Sequence, residues 1–219
     1  MTKKLLMSQL LAAVDERLRS NDFAYRKSDQ MYMASHGWGI AIIHLFFITH
    51  PGDFDILLNV GVRIDRVENL INKYDARLSE KEKKRTWTLG VEVGQFVGMG
   101  QKRWTVAQAD DVPKVARDIH DAIHRIALPY VEKYSNLENA LGVLAGDGRD
   151  SWIHLPLHDQ RAKRAVGLAW LLGDRERFVR IVETKRAFLS GRNDVDLEDF
   201  ERFVGSLSEA ESVPRSVHI

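Results

Sequence analysis

Residues 54–64 read Phe54-Asp55-Ile56-Leu57-Leu58-Asn59-Val60-Gly61-Val62-Arg63-Ile64. Taking alternate positions gathers Phe54, Ile56, Leu58, Val60, Val62 and Ile64 on one side. Asp55, Asn59 and Arg63 fall on the other, with one Leu and one Gly. Successive side chains of a strand point to opposite faces, so the pattern is that of a β-strand with one core face. Upstream lies Pro51-Gly52-Asp53, a turn, and before it residues 38–49. These are apolar on both faces: Trp38, Ile40, Ile42, Phe46 and Ile48 on one, Ala41, Ile43, Leu45 and Phe47 on the other. A strand of that kind is expected at the centre of its sheet, covered on both sides. At about 1.5–3 kcal/mol for each large apolar side chain removed from water, it should dominate the core.

Working outward, short strands are expected at 23–27 and 30–34, joined by a Ser28-Asp29 turn. Before them Leu6, Leu10, Val14 and Leu18 recur every fourth residue, the stripe of an amphipathic helix that Ser20-Asn21-Asp22 ends. Downstream of Ile64, Asp65 and Glu68 read as a capping box for a helix carrying Val67, Leu70, Ile71 and Tyr74. The charged run at 80–85 is expected to be a solvated surface. Strand pattern returns at 86–97, and Gly98-Met99-Gly100 turns the chain into 103–106. From Asp110 onward the spacing is helical. Asp111 and Pro113 start one helix, Pro129 breaks or kinks it, and Ser135 with Glu138 caps a short successor that ends near Gly146. Helices over about 160–172, 175–189 and 197–208 close the chain.

The expected fold is α+β: an antiparallel meander of five or six strands packed by helices, with a C-terminal helical lobe. Residues 1–145 form the sheet domain, 146–158 a loop, 159–211 the helical lobe packed on it as one continuous unit, and 212–219 a tail.

Composition narrows function. The chain has 219 residues, with 32 basic and 31 acidic, so no net field draws it to nucleic acid or anionic lipid. It has no cysteine, which excludes disulfides, thiol nucleophiles and thiolate-bound metals. Met1-Thr2-Lys3-Lys4-Leu5-Leu6-Met7 resembles a secretory start, but Asp15, Glu16, Arg17 and Arg19 follow at helical spacing. No stretch is long enough for a membrane span, and a cytoplasmic location is expected.

Candidate sites are few. His120 and His124 stand four apart on a predicted helix and can share a metal, with Asp121 as the adjacent carboxylate. The residue after the first histidine is Asp, too short for the general base of a helical zinc hydrolase, and no third ligand is evident. His154 and His158 share the spacing but flank Pro156. Residues 146–154 combine flexible backbone with Asp147, Arg149, Asp150 and Trp152, side chains suited to a binding surface. The same segment also reads as a connector anchored by Trp152. The loop 98–103 is a second candidate surface. Asn193-Asp194-Val195-Asp196-Leu197-Glu198-Asp199 hints at a calcium loop but lacks its glycine and distal glutamate; Asp196 as a helix N-cap explains it. Between 159 and 192 nine basic residues face four acids. Scattered round the helices, they read as a solvated face rather than a nucleic-acid surface.

Phe23-Ala24-Tyr25-Arg26-Lys27 with Met31-Tyr32, then Leu57-Leu58-Asn59-Val60-Gly61-Val62, and later Leu128-Pro129-Tyr130-Val131-Glu132, resemble three motifs of a family of bacterial domains of unknown function. That family has a "GF-x-R/K" strand after its first helix, an "N-h-G-V" strand and an "LP-x-x-E" helix. Asp22 stands where the family usually has Gly. The resemblance implies an α+β fold over about residues 5–145 with no assigned activity. Some similar small proteins sit beside toxin genes as immunity proteins. The expected function is therefore a non-catalytic protein-binding module with no cofactor, binding a protein partner such as a toxin domain through Asp147, Arg149, Asp150 and Trp152. The alternatives are a metal-dependent hydrolase using His120 and His124, and nucleic-acid binding through the basic C-terminal helices.

Overall fold

A computed structural model describes residues 2–27, 29–192 and 196–212. In chain order the elements are α1 (Lys3–Leu18), a 3-10 turn (Arg19–Asn21), β1 (Ala24–Arg26), β2 (Met31–His36), β3 (Gly39–Thr49) and β4 (Phe54–Ile64). Then follow α2 (Asp65–Tyr74), α3 (Glu80–Lys83), β5 (Leu89–Glu92), α4 (Val93–Phe96), β6 (Trp104–Val106) and α5 (Asp111–Ala122). A π turn (Ile123–Ala127) leads to α6 (Leu128–Tyr134), α7 (Leu137–Leu144), α8 (Arg149–Trp152), α9 (His158–Leu172), α10 (Arg175–Ser190) and α11 (Asp196–Ser212). The fold is α+β, and no helix among the described residues is long and apolar enough to cross a membrane.

The chain divides into two compact units: 1–64 with 87–136, and 65–86 with 137–219. The first holds an open antiparallel sheet in the order β1-β2-β3-β4-β5, with β6 pairing β4 beside β5. Leu6, Leu10, Val14 and Leu18 of α1 are all buried, as their spacing requires, and α1 packs against α5. The Tyr32 hydroxyl donates to the Leu11 carbonyl at 3.1 Å, pinning α1 to β2. Tyr32, Ile43 and Val60 lie in register on this core face.

Two expectations about the central strands are reversed. β4, read as one-sided, is buried along its whole length except at Asn59, which is half-buried. Its polar side chains have partners, and Gly61 leaves room for the Trp87 ring: a Cβ there would lie 2.4 Å from Trp87 Cε3. β3, read as covered on both sides, leaves Ile40, His44 and Ile48 half-buried and Phe46 48% exposed. Apolar composition does not by itself decide burial.

Local differences have local causes. The strand expected over 86–97 stops at Glu92, because the Glu92 carboxylate accepts from the backbone N–H of Gly94 (2.9 Å) and Gln95 (3.0 Å) and starts α4. Arg26 pairs with Met31, so the link between β1 and β2 is longer than a two-residue turn; Ser28 lies outside the described residues. Pro129 does not end its helix. Leu128 N bonds Ile123 O in the π turn, and α6 continues with Pro129 in its first turn, where a missing N–H matters least. Ser135 does not cap α7 with its side chain; its hydroxyl donates back to the Glu132 carbonyl.

The second unit is helical. Val67 and Ile71 of α2 are buried, and Gly167 of α9 lies close to Ile71. Phe200, Phe203 and Leu207 form the buried stripe of α11. Glu68 is no cap: fully buried, it takes a two-pronged bond from Arg164 of α9, at 3.0 Å from Nε and 2.8 Å from Nη2.

Candidate functional site

The segment after α7 is shaped by one close approach. A Cβ on Gly146 would lie 2.4 Å from Ser151 Oγ, so only glycine lets the chain fold back there. Gly148, in extended backbone, then opens the single turn of α8, and Trp152 N bonds the Gly148 carbonyl at 3.0 Å.

Two cations hold this turn from below. The Lys185 ammonium of α10 donates to Asp147 Oδ1 at 2.7 Å and to the Gly146 carbonyl at 3.0 Å. The Arg161 guanidinium of α9 reaches Asp147 Oδ1 (3.3 Å), the Gly146 carbonyl (3.3 Å) and the Leu155 carbonyl (2.6 Å). Both cationic side chains are wholly buried, and Asp147 is mostly so. Burial pushes the Lys185 pKa down, against the pull of Asp147. A removed partner would leave a buried charge uncompensated, so the cluster fixes the backbone of 146–148 firmly.

The four residues singled out from sequence therefore divide. Asp147 points inward as the acceptor of the clamp. Arg149 and Asp150 are exposed on α8, and Trp152 is 49% exposed, with Leu157 beyond it 62% exposed. The turn thus displays an indole and a leucine beside one charge of each sign.

In the first unit, the loop at 98–103 is fastened by Glu92, whose carboxylate also accepts from Lys102 N at 3.3 Å. Gly98 and Gly100 both adopt φ +74°, and Met99 between them is 74% exposed.

The histidine pairs stand as follows. His120 and His124 have ring centroids 4.3 Å apart, and Asp121 Oδ1 is 4.0 Å from His120 Nδ1. His154 is buried, and His158 Nδ1 lies 2.8 Å from Arg161 Nη2, where a guanidinium already fills the place of a cation. Among the described residues no group of three or more His, Cys, Asp or Glu side chains is gathered as a metal site requires. Of the calcium-like run, 193–195 lie outside the described residues. The Asp199 carboxylate is taken by Lys163, by Arg77 at 2.8 Å and by Arg202 at 3.3 Å.

The basic excess of 159–192 is not a solvated face. Arg161, Lys163, Arg164 and Lys185 are buried and bonded to carboxylates within their unit, which leaves Arg175, Arg180 and Arg192 among the exposed remainder. Sequence reasoning also missed a cluster on the sheet. The Asp55 carboxylate accepts from Thr105 Oγ1 (2.7 Å) and Arg103 Nη1 (3.3 Å) and lies 3.1 Å from His50 Nε2. Its one sequence signal was a carboxylate inside an apolar strand.

Comparison with protein-family models, with curated proteins and with solved structures finds no match to this chain.

Proposed function

We propose that this chain is a non-catalytic protein-binding module that meets its partner through α8 and the turn after it. The observation that carries the reading is Trp152, 49% exposed on a turn anchored by buried charges. Interface energy concentrates in a few residues, tryptophan and arginine foremost, and a surface held rigid before binding loses little entropy on docking. Trp152 and Leu157 supply the apolar centre, and Arg149 and Asp150 the polar rim. The narrower form, a bacterial immunity protein that covers a toxin's active site, rests on the family resemblance of the three short motifs.

The test mixes the purified chain with each protein encoded by neighbouring genes and follows co-elution on size exclusion. The reading expects one stable complex, weakened at least about tenfold by Trp152→Ala, or ~1.4 kcal/mol, with the circular dichroism spectrum unchanged. A complex that tolerates Trp152→Ala, or no complex with any neighbour, sinks it.

A further inference from the structure

The first unit carries an open groove of about 510 Å³ between α1 and β1. Its floor is Ala12, Phe23 and Tyr32; its rim is Asp15, Arg19 and Tyr25. That volume lies within the usual range of ligand sites. Tyr25 is half-buried with its ring 4.9 Å from that of Tyr32, and its hydroxyl has no hydrogen-bond partner among the described residues. Asp15 and Arg19 pair with each other at 2.7 Å through Asp15 Oδ2, which leaves Oδ1 open to a donor.

A second observation concerns the sheet. β1 is last in the strand order, so its outer side pairs with no strand among the described residues. Ala24 and Arg26 of β1 are exposed. Register puts Tyr25 on the face that Tyr32 and α1 share. A strand laid beside β1 would place alternate side chains on that same face, over the groove. Sheet edges take added strands in this way: backbone hydrogen bonds give affinity, and a neighbouring pocket selects the side chain.

We propose that the groove between α1 and the open side of β1 receives an extended peptide, which adds to the sheet and seats a tyrosine side chain between Ala12 and Tyr25. An enclosed cavity would favour a small molecule; an open groove running beside a strand edge favours a strand. The floor accepts the ring, and the rim meets its hydroxyl with Asp15 or Arg19. This surface belongs to the sheet unit and is independent of the one around Trp152.

The probe is a blocked peptide, Thr-Ile-Tyr-Ile-Thr-Lys, titrated to about millimolar against the full chain while backbone amide shifts and amide exchange are followed. Expected are saturable shifts gathered on residues 11–19 and 23–26, slower exchange of β1 amides, and at least tenfold weaker binding when the peptide's tyrosine is alanine. Ala12→Trp, on an exposed helix position, should fill the groove and remove binding; Ala12→Met is the milder filler should the larger ring unfold the chain. Trp152→Ala should leave peptide binding intact, so failure here and failure of the partner reading stay distinguishable. Absence of saturable shifts, shifts elsewhere, or undiminished binding by the filled groove overturns the proposal.

Discussion

Gly61 of β4 and Gly90 of β5 face each other in register, and the indole of Trp87 lies where their side chains would be. A Cβ on Gly90 would stand 2.9 Å from both Trp87 Cε3 and the Val60 carbonyl oxygen, so neither glycine has room to grow. Overpacking of this kind costs about 1–3 kcal/mol. Gly61→Ala should therefore lower the urea midpoint at an unchanged m-value. Asp55 offers a second test at this scale. The Thr105 hydroxyl, with help from His50 and Arg103 and against desolvation, holds its carboxyl below the usual carboxylate range. Its folded pKa is then lower than its unfolded value, near 3.9, and the folded chain binds fewer protons. The stability it contributes is present above that unfolded value and is lost as pH falls through the folded one. Asp55→Asn should flatten the loss of stability below about pH 4; urea midpoints across pH would reveal an unchanged slope if Asp55 contributes nothing.

Between α2 and α9 the Glu68–Arg164 pair has both side chains almost wholly out of water. Removing one partner of such a pair costs about 3–5 kcal/mol, whereas replacing both with apolar residues of similar volume is often close to neutral. Glu68→Leu alone should thus destabilise far more than Glu68→Leu with Arg164→Met, and chemical denaturation of the single and double variants decides it. An additive double variant would remove the coupling. The same pair explains what the sequence did and did not disclose. The leucine stripe of α1 and the alternation of β4 were legible because their signal repeats within a few residues. Glu68 and Arg164 lie 96 positions apart, and a charge pattern read locally looks solvated on either helix. The clamp under α8 was hidden likewise, since Lys185 finds Asp147 across 38 positions. Arg149, Asp150 and Trp152 could be picked out because their display depends on their own turn alone.

Across the whole molecule the chain enters its second unit at Asp65, leaves after Thr86 and re-enters at Leu137. Nothing in residues 65–86 marks them as partners of helices that follow seventy positions later, so a boundary drawn from composition near residue 145 splits the second unit. A chain ended after residue 145 would keep α2 but lose α9, leaving Glu68 without Arg164 and Ile71 without the surface around Gly167. Its Tm should fall and its helix content should drop by more than the deleted helices account for, as circular dichroism would record. A shortened chain that melts like the parent would show that 65–86 stand without their distant partners.

The π turn at Ile123–Ala127 carries one consequence for the evolution of length in this chain. It holds one residue more than an ordinary helical rung, and a helix advances about 100° per residue. Deleting any single position there would restore the regular winding and swing everything beyond it by about that angle. Tyr130, now wholly buried with its ring edge-on to Phe96, would be turned towards water. The bulge is thus a rotational setting, and insertions tolerated elsewhere should be refused within those five residues.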